Sequence, residues 1–145
     1  MVISVAKKEV NVSTANEFHI WQRANLPGSL IIQDLDNWVV AISDSKRNYE
    51  PRALIELKRS FSDVRQWSPY RADWPNYKAL LTLSNRANLP FYTVYFKKGE
   101  PLKEVAWFRV LDVAESPQQE PWIHFERETL TASQLRDRLT QIGQS

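Results

Sequence analysis

At 145 residues, 43% hydrophobic and 12% aromatic, the chain has material for one domain with a buried core and lacks the composition of a disordered segment. It contains no cysteine, which excludes disulfides, zinc–thiolate centres and a cysteine nucleophile. The net charge of +2 gives no global basic field, and no apolar stretch reaches membrane-spanning length or forms a signal-peptide core, so no membrane partner and a cytoplasmic location are expected.

Residues 1–12 hold one short apolar stretch, Val2-Ile3-Ser4-Val5, read as an added strand or a loose arm. A helix follows from Ser13 or Thr14. Thr14-Ala15-Asn16-Glu17 fits a capping box, Phe18, Trp21 and Ala24 have helical spacing, and Asn25-Leu26-Pro27-Gly28 ends the run. Three extended segments come next: Leu30 to Asp36, Trp38 to Ser43 (a second strand or a continuation of the first) and Arg52 to Lys58, with a polar turn at 44–48. Residues 60–73 read as a polar connection bearing Trp67 and Tyr70.

A second helix begins near Asp73 with Pro75 in its first turn; Tyr77, Leu80, Leu81 and Ser84 share one face, and Asn88-Leu89-Pro90 stops it. Phe91 to Phe96 and Trp107 to Val113 read as strands, and Trp122 to Phe125 as a short edge strand. Thr131-Ala132-Ser133-Gln134 is a second capping box, opening a helix through Leu135, Leu139 and Ile142. The pentapeptide Arg-Ala-Asn-Leu-Pro occurs at 23–27 and at 86–90, each time closing a helix ahead of a strand. The pattern predicts an α/β sandwich with a mixed sheet, in which the helix between Lys58 and Phe91 carries a parallel crossover.

The chemistry concentrates in two places. In Glu56-Leu57-Lys58 the carboxylate and the ammonium share one strand face, because side chains alternate, and an apolar strand rarely carries both unless they are paired or bind something. Asp34-Leu35-Asp36 adds two acids of equal parity on a neighbouring apolar run. Acids and a lysine at strand ends suit a divalent metal and a phosphate. The plain alternatives are a structural ion pair for Glu56 and Lys58, a turn aspartate in Asp36-Asn37, and a helix cap for Glu17. From Lys46 to Lys78, eight basic residues face four acids, a local excess of +4 that favours a polyanion or is ordinary surface scatter. His19 and His124 stand alone and are given no role.

Helix, three strands, helix, strand, with Asp ahead of Glu-x-Lys, resembles the PD-(D/E)xK nuclease superfamily. The matching segments are Gln33 to Val40, Ala53 to Lys58, Tyr77 to Leu81 and Leu89 to Tyr95. The resemblance spans about residues 13–96 and implies a restriction-endonuclease-like three-layer sandwich, a central mixed β-sheet flanked by helices, with 97–145 as additions to a single domain 1–145. No proline precedes either aspartate, which leaves both eligible; Asp36 is first choice because it sits at the junction into Trp38-Val39-Val40, where this family places its acid, and Asp34 is in reserve.

The resemblance implies a metal-dependent endonuclease that hydrolyses phosphodiester bonds of DNA. Asp36 and Glu56 would supply hard oxygen ligands to Mg²⁺, with Mn²⁺ substituting, and Glu17 is a further metal candidate. Lys58 would give electrostatic help, since lysine is a general base only when its pKa is strongly lowered. Leu57 would point to the opposite face, into the core. Arg59, Arg65, Arg71, Lys78 and Tyr77 are the candidate nucleic-acid contacts, and pairing of two subunits is the expected way to cut both strands. Trp67, Tyr70 and Trp74 read equally as base-stacking groups and as aromatics closing a core edge. The alternative function is a non-catalytic nucleic-acid-binding or protein-interaction module that keeps the fold.

Overall fold

Ala53, Leu54, Ile55 and Glu56 are buried in succession, which requires cover on both faces of their sheet. The structure, a computed structural model, describes residues 17–144 apart from 19, 22, 30–34, 44 and 46. The chain divides into two compact units, Met1–Asp34 and Leu35–Ser145. In the first, the described residues between 17 and 25 have helical backbone, Phe18 and Trp21 stack at 5.9 Å, and the Asn25 amide donates to the Trp21 carbonyl at 2.8 Å. The extended segment expected from Leu30 and the capping-box residues Thr14 to Asn16 lie outside the described residues, apart from Leu35 and Asp36.

The second unit runs β1 (Asn37–Ile42), β2 (Tyr49–Ser60), a 3₁₀ turn (Arg71–Asp73), α1 (Trp74–Ala87), β3 (Phe91–Lys97), β4 (Glu104–Val113), β5 (Ile123–Thr131) and α2 (Ala132–Gln144). The strands form one sheet in the order β1-β2-β3-β4-β5. β2 and β3 are parallel, joined through α1, and the other neighbours are antiparallel. The fold is therefore α/β with a five-stranded mixed sheet flanked by helices.

Neighbouring residues of β2 serve different cores. Leu54 packs with Tyr77, Leu80 and Leu81 of α1, and with Phe91, Val110 and Trp122. Ala53 and Ile55 pack with Val94, Val105, Trp107 and Leu130, under Leu135, Leu139 and Ile142 of α2. Strand alternation thus sends α1 and α2 to opposite faces. A third cluster on the α1 side joins Tyr95, Ala106 and Phe108 to Val64 and Trp67 of the 61–70 connection.

The helix ends follow their local chemistry. Asn88 takes the left-handed conformation (φ 57°), and the Leu89 N–H bonds the Ser84 carbonyl at 2.8 Å, so Asn closes α1 where Pro90 forbids continuation. The first copy of the pentapeptide uses the Asn25 side chain in the contact with Trp21. Thr131 and Gln134 form a reciprocal capping box: Gln134 N–H to Thr131 Oγ1 at 3.1 Å, and Thr131 N–H to Gln134 Oε1 at 2.9 Å.

Two expectations are corrected. β5 extends from Ile123 to Thr131 rather than stopping at Phe125, because Glu126, Arg127 and Glu128 interrupt its apolar pattern without interrupting its pairing to β4. Arg127 lies 5.4 Å from the Phe108 ring centroid and donates to the Val64 carbonyl, so its charge sits over a core edge. Leu57 does point away from Glu56, but it is 41% exposed: at that point of β2 the opposite face is not covered. Among the described residues no helix is long and apolar enough to cross a membrane.

Candidate functional site

Glu56 and Lys58 project from β2 toward the start of α1. Asp36 immediately precedes β1, whose register begins with Asn37 opposite Ile55; one further step sets Asp36 beside Glu56. The ladder of β1 does not reach Leu57, and the Asp36 Oδ2 accepts the Leu57 N–H at 2.9 Å. The aspartate is thereby tied to the strand that carries the other two residues, by a charge-assisted bond. Sequence reasoning brought Asp36, Glu56 and Lys58 together, and the structure has them on one side of the sheet.

Glu56 is buried, 7% exposed. Burial pushes its pKa up to about 7, and the Asp36 charge and a hydrogen bond with Asp36 push the same way. The Lys58 ammonium and a hydrogen bond with Asn76 pull it down. Lys58 Nζ lies 3.6 Å from Glu56 Oε1 and 3.5 Å from Asp73 Oδ2. It also stands 5.9 Å from the centroid of the Tyr77 ring, within cation–π reach. Two carboxylates and an ammonium therefore meet on a partly buried side of the sheet, where burial and the Asp36 charge favour the protonated form of Glu56.

This donor set fits a hard cation. Mg²⁺ commonly takes one or two carboxylates and fills its remaining positions with water and phosphate oxygen. Asp36 and Glu56 repel each other when both are ionised, and a cation between them removes that cost. Among the described residues no group of three or more His, Cys, Asp or Glu side chains is placed to hold a metal, so a cation here would have these two carboxylates alone. Asp34 lies outside the described residues, and Glu17 is an exposed residue of the other unit, Met1–Asp34.

Asp73 and Asn76 were not singled out from the sequence. The signal was present: 73, 76, 77, 80, 81 and 84 make one helical stripe, and its first turn is polar where the rest is apolar or small. Read as a helix start, that polarity concealed a second half of the site.

The nucleic-acid candidates divide differently. Tyr77 is fully buried, and its hydroxyl accepts from Thr93 Oγ1 at 3.4 Å, so it is a core residue and offers DNA no surface. Burial, helped by the charges of Glu56 and Asp73, raises its pKa. Arg65 pairs with Glu104 at 3.0 Å, Lys78 with Glu115 at 2.9 Å and with the Val113 carbonyl, and Arg71 with Glu120 and the Pro117 carbonyl. All three acids come from outside the 46–78 window, so the local excess of +4 is partly neutralised by residues distant in sequence. Arg59 is exposed on the strand parity opposite to Lys58. Trp67 is 4% exposed, stacked on Tyr95 at 4.4 Å and edge-on to Phe108, and the Trp74 Nε1–H donates to the Ala114 carbonyl. Both close core edges, while Tyr70 remains exposed.

Comparison of the chain with protein-family models, with curated proteins and with solved structures gives no match. The chemistry of Asp36, Glu56, Lys58 and their neighbours is therefore what bears on function.

Proposed function

We propose that this protein is a metal-dependent endonuclease of the PD-(D/E)xK type, with a restriction-endonuclease-like sandwich, hydrolysing phosphodiester bonds of DNA. One observation carries the reading: the Asp36 and Glu56 carboxyl groups meet on the sheet face that also presents Lys58, with Nζ 3.6 Å from Glu56. The crossover β2-α1-β3 beside that pair supports the same fold type.

Asp36 and Glu56 would hold Mg²⁺ or Mn²⁺. The chemistry such an ion supplies when bound is activation of water and polarisation of the scissile phosphate. Asp36 is oriented for this by the Leu57 N–H, which its Oδ2 accepts, and by its hydrogen bond with Glu56. Glu56 must be ionised to act as a ligand, so its proton leaves on binding. The Lys58 ammonium offsets the negative charge that builds on the phosphate oxygens in the transition state. Two copies acting together would cut both strands of a duplex.

The test is cleavage of plasmid and branched DNA in Mg²⁺, Mn²⁺ or EDTA, with wild type beside Glu56→Ala and Lys58→Ala. Metal-dependent cutting by wild type and its loss in both folded variants is the expected result. Binding of DNA without cutting under any metal condition would replace the nuclease with a non-catalytic binding module.

A further inference from the structure

We infer that Asp73 is a positioning residue for Lys58, holding the ammonium at the outer side of the site and ceding it to a substrate phosphate; this rests on the nuclease reading above. Asp73 is the N-cap of α1, yet its side chain makes no capping hydrogen bond. Aspartate is among the best N-cap residues because its oxygen takes an N–H of the first turn. Here Pro75, in that turn, has no N–H to give, and the carboxylate instead faces Lys58 at 3.5 Å. The Asp73 side chain is 35% exposed against 9% for Glu56, so the two acids hold the ammonium from the outer and the inner side.

The near-equal separations of 3.5 and 3.6 Å matter. A contact ammonium–carboxylate bond closes to about 2.7–2.9 Å. Lysine is a point charge on a flexible stem and moves to the strongest anion within reach. With Asp73 removed, Lys58 is drawn onto Glu56 and occupies the oxygen that a cation needs. With Asp73 present, the charge is shared, Glu56 keeps a free lone pair, and the ammonium stays where a phosphate can exchange with Asp73. The Tyr77 ring beneath Nζ limits the remaining freedom.

The experiment is Asp73→Asn, with Asp73→Glu as the charge-retaining control. The Asp73 side chain makes no capping bond and its pairing with Lys58 is partly exposed, so Asp73→Asn should change Tm little. The expected result is a kcat lower by about 10- to 100-fold with KM for DNA unchanged or reduced, because misplacement of a catalytic group affects the transition state most. Asp73→Glu should restore most of the rate. The Lys58 side-chain ¹⁵N signal, recorded without metal, should shift in Asp73→Asn and stay near the wild-type position in Asp73→Glu. If wild type cuts and Asp73→Asn cuts equally well, or if rate and Tm fall together without rescue by Asp73→Glu, the positioning role is overturned. If wild type does not cut but the Lys58 signal moves as stated, the tether stands and the nuclease reading falls. A Lys58 signal indifferent to Asp73→Asn removes the tether whatever the cleavage assay gives.

Discussion

The Asp36 carboxylate bonds the backbone N–H of Leu57, the residue between Glu56 and Lys58, at 2.9 Å. An acid just ahead of β1 is thus fixed to β2 by a backbone donor that the ladder of β1 does not reach. The bond to Leu57 uses a backbone donor and survives a change of Glu56 or Lys58, whereas the hydrogen bond between Asp36 and Glu56 is lost when Glu56 is replaced.

That geometry makes Asp36→Asn informative. The amide oxygen still accepts from Leu57, while the negative charge beside Glu56 disappears. The Glu56 pKa, pushed up to about 7 in part by that charge, should fall toward its ordinary value near 4.5. Carboxyl ¹³C titration by NMR reads it directly. Cleavage should be lost, because one hard oxygen ligand becomes a neutral amide.

Glu56 also makes stability depend on pH. Its folded pKa of about 7 exceeds the ordinary 4.5, so between those values the folded state holds a proton that the unfolded state has lost. Stability therefore falls as pH rises through this window, by on the order of 3 kcal/mol, and is greatest below about pH 4.5 as far as this group is concerned. Urea denaturation in EDTA from pH 5 to pH 8 checks the sign. Millimolar Mg²⁺ or Mn²⁺ should raise Tm increasingly toward pH 8, since a cation binds the ionised, folded pair. A Tm indifferent to either ion across the range would count against Asp36 and Glu56 as ligands.

Lys58 and Arg59 are neighbours with opposite strand parity. Lys58→Ala should lower kcat by about 100-fold or more through loss of transition-state charge stabilisation. Arg59→Ala should stay within about threefold, as its side chain leaves the other face of the sheet. Steady-state cleavage rates at fixed salt separate the two.

Trp67→Ala should destabilise the protein by about 3–5 kcal/mol, as expected for truncating a buried aromatic. It is stacked on Tyr95 at 4.4 Å and meets Phe108 at 5.5 Å. Equilibrium urea unfolding measures the loss. A base-stacking tryptophan would instead weaken DNA binding and leave the unfolding midpoint in place.

Thr131→Ala should cost about 1 kcal/mol, the usual worth of an N-cap hydroxyl. Gln134 loses the partner of its N–H at the junction of β5 and α2. The same unfolding measurement applies, and DNA cleavage should be unaffected at permissive temperature.

Much of this was written in local sequence. Capping at Thr131 and Gln134 and the left-handed stop at Asn88 follow from interactions within a few residues, where side-chain chemistry and backbone geometry decide together. The shared parity of Glu56 and Lys58 is of the same kind, because alternation is a property of any strand. The length of β5 was hidden because charged residues on a half-exposed strand erase the apolar alternation by which strands are read.

Partnership across the fold was not legible. No spacing rule says that Asp73 reaches Lys58, that Asn76 bonds Glu56, or that Glu104, Glu115 and Glu120 absorb the charge of Arg65, Lys78 and Arg71. Coulomb and hydrogen-bond energies depend on distances between atoms, and those distances arise only when α1 settles on β2 and β3 and the chain after β4 returns to meet it. The sequence by itself determined which side chains share a face; the tertiary structure decided which charges face each other, and so which of them remain free to meet a ligand.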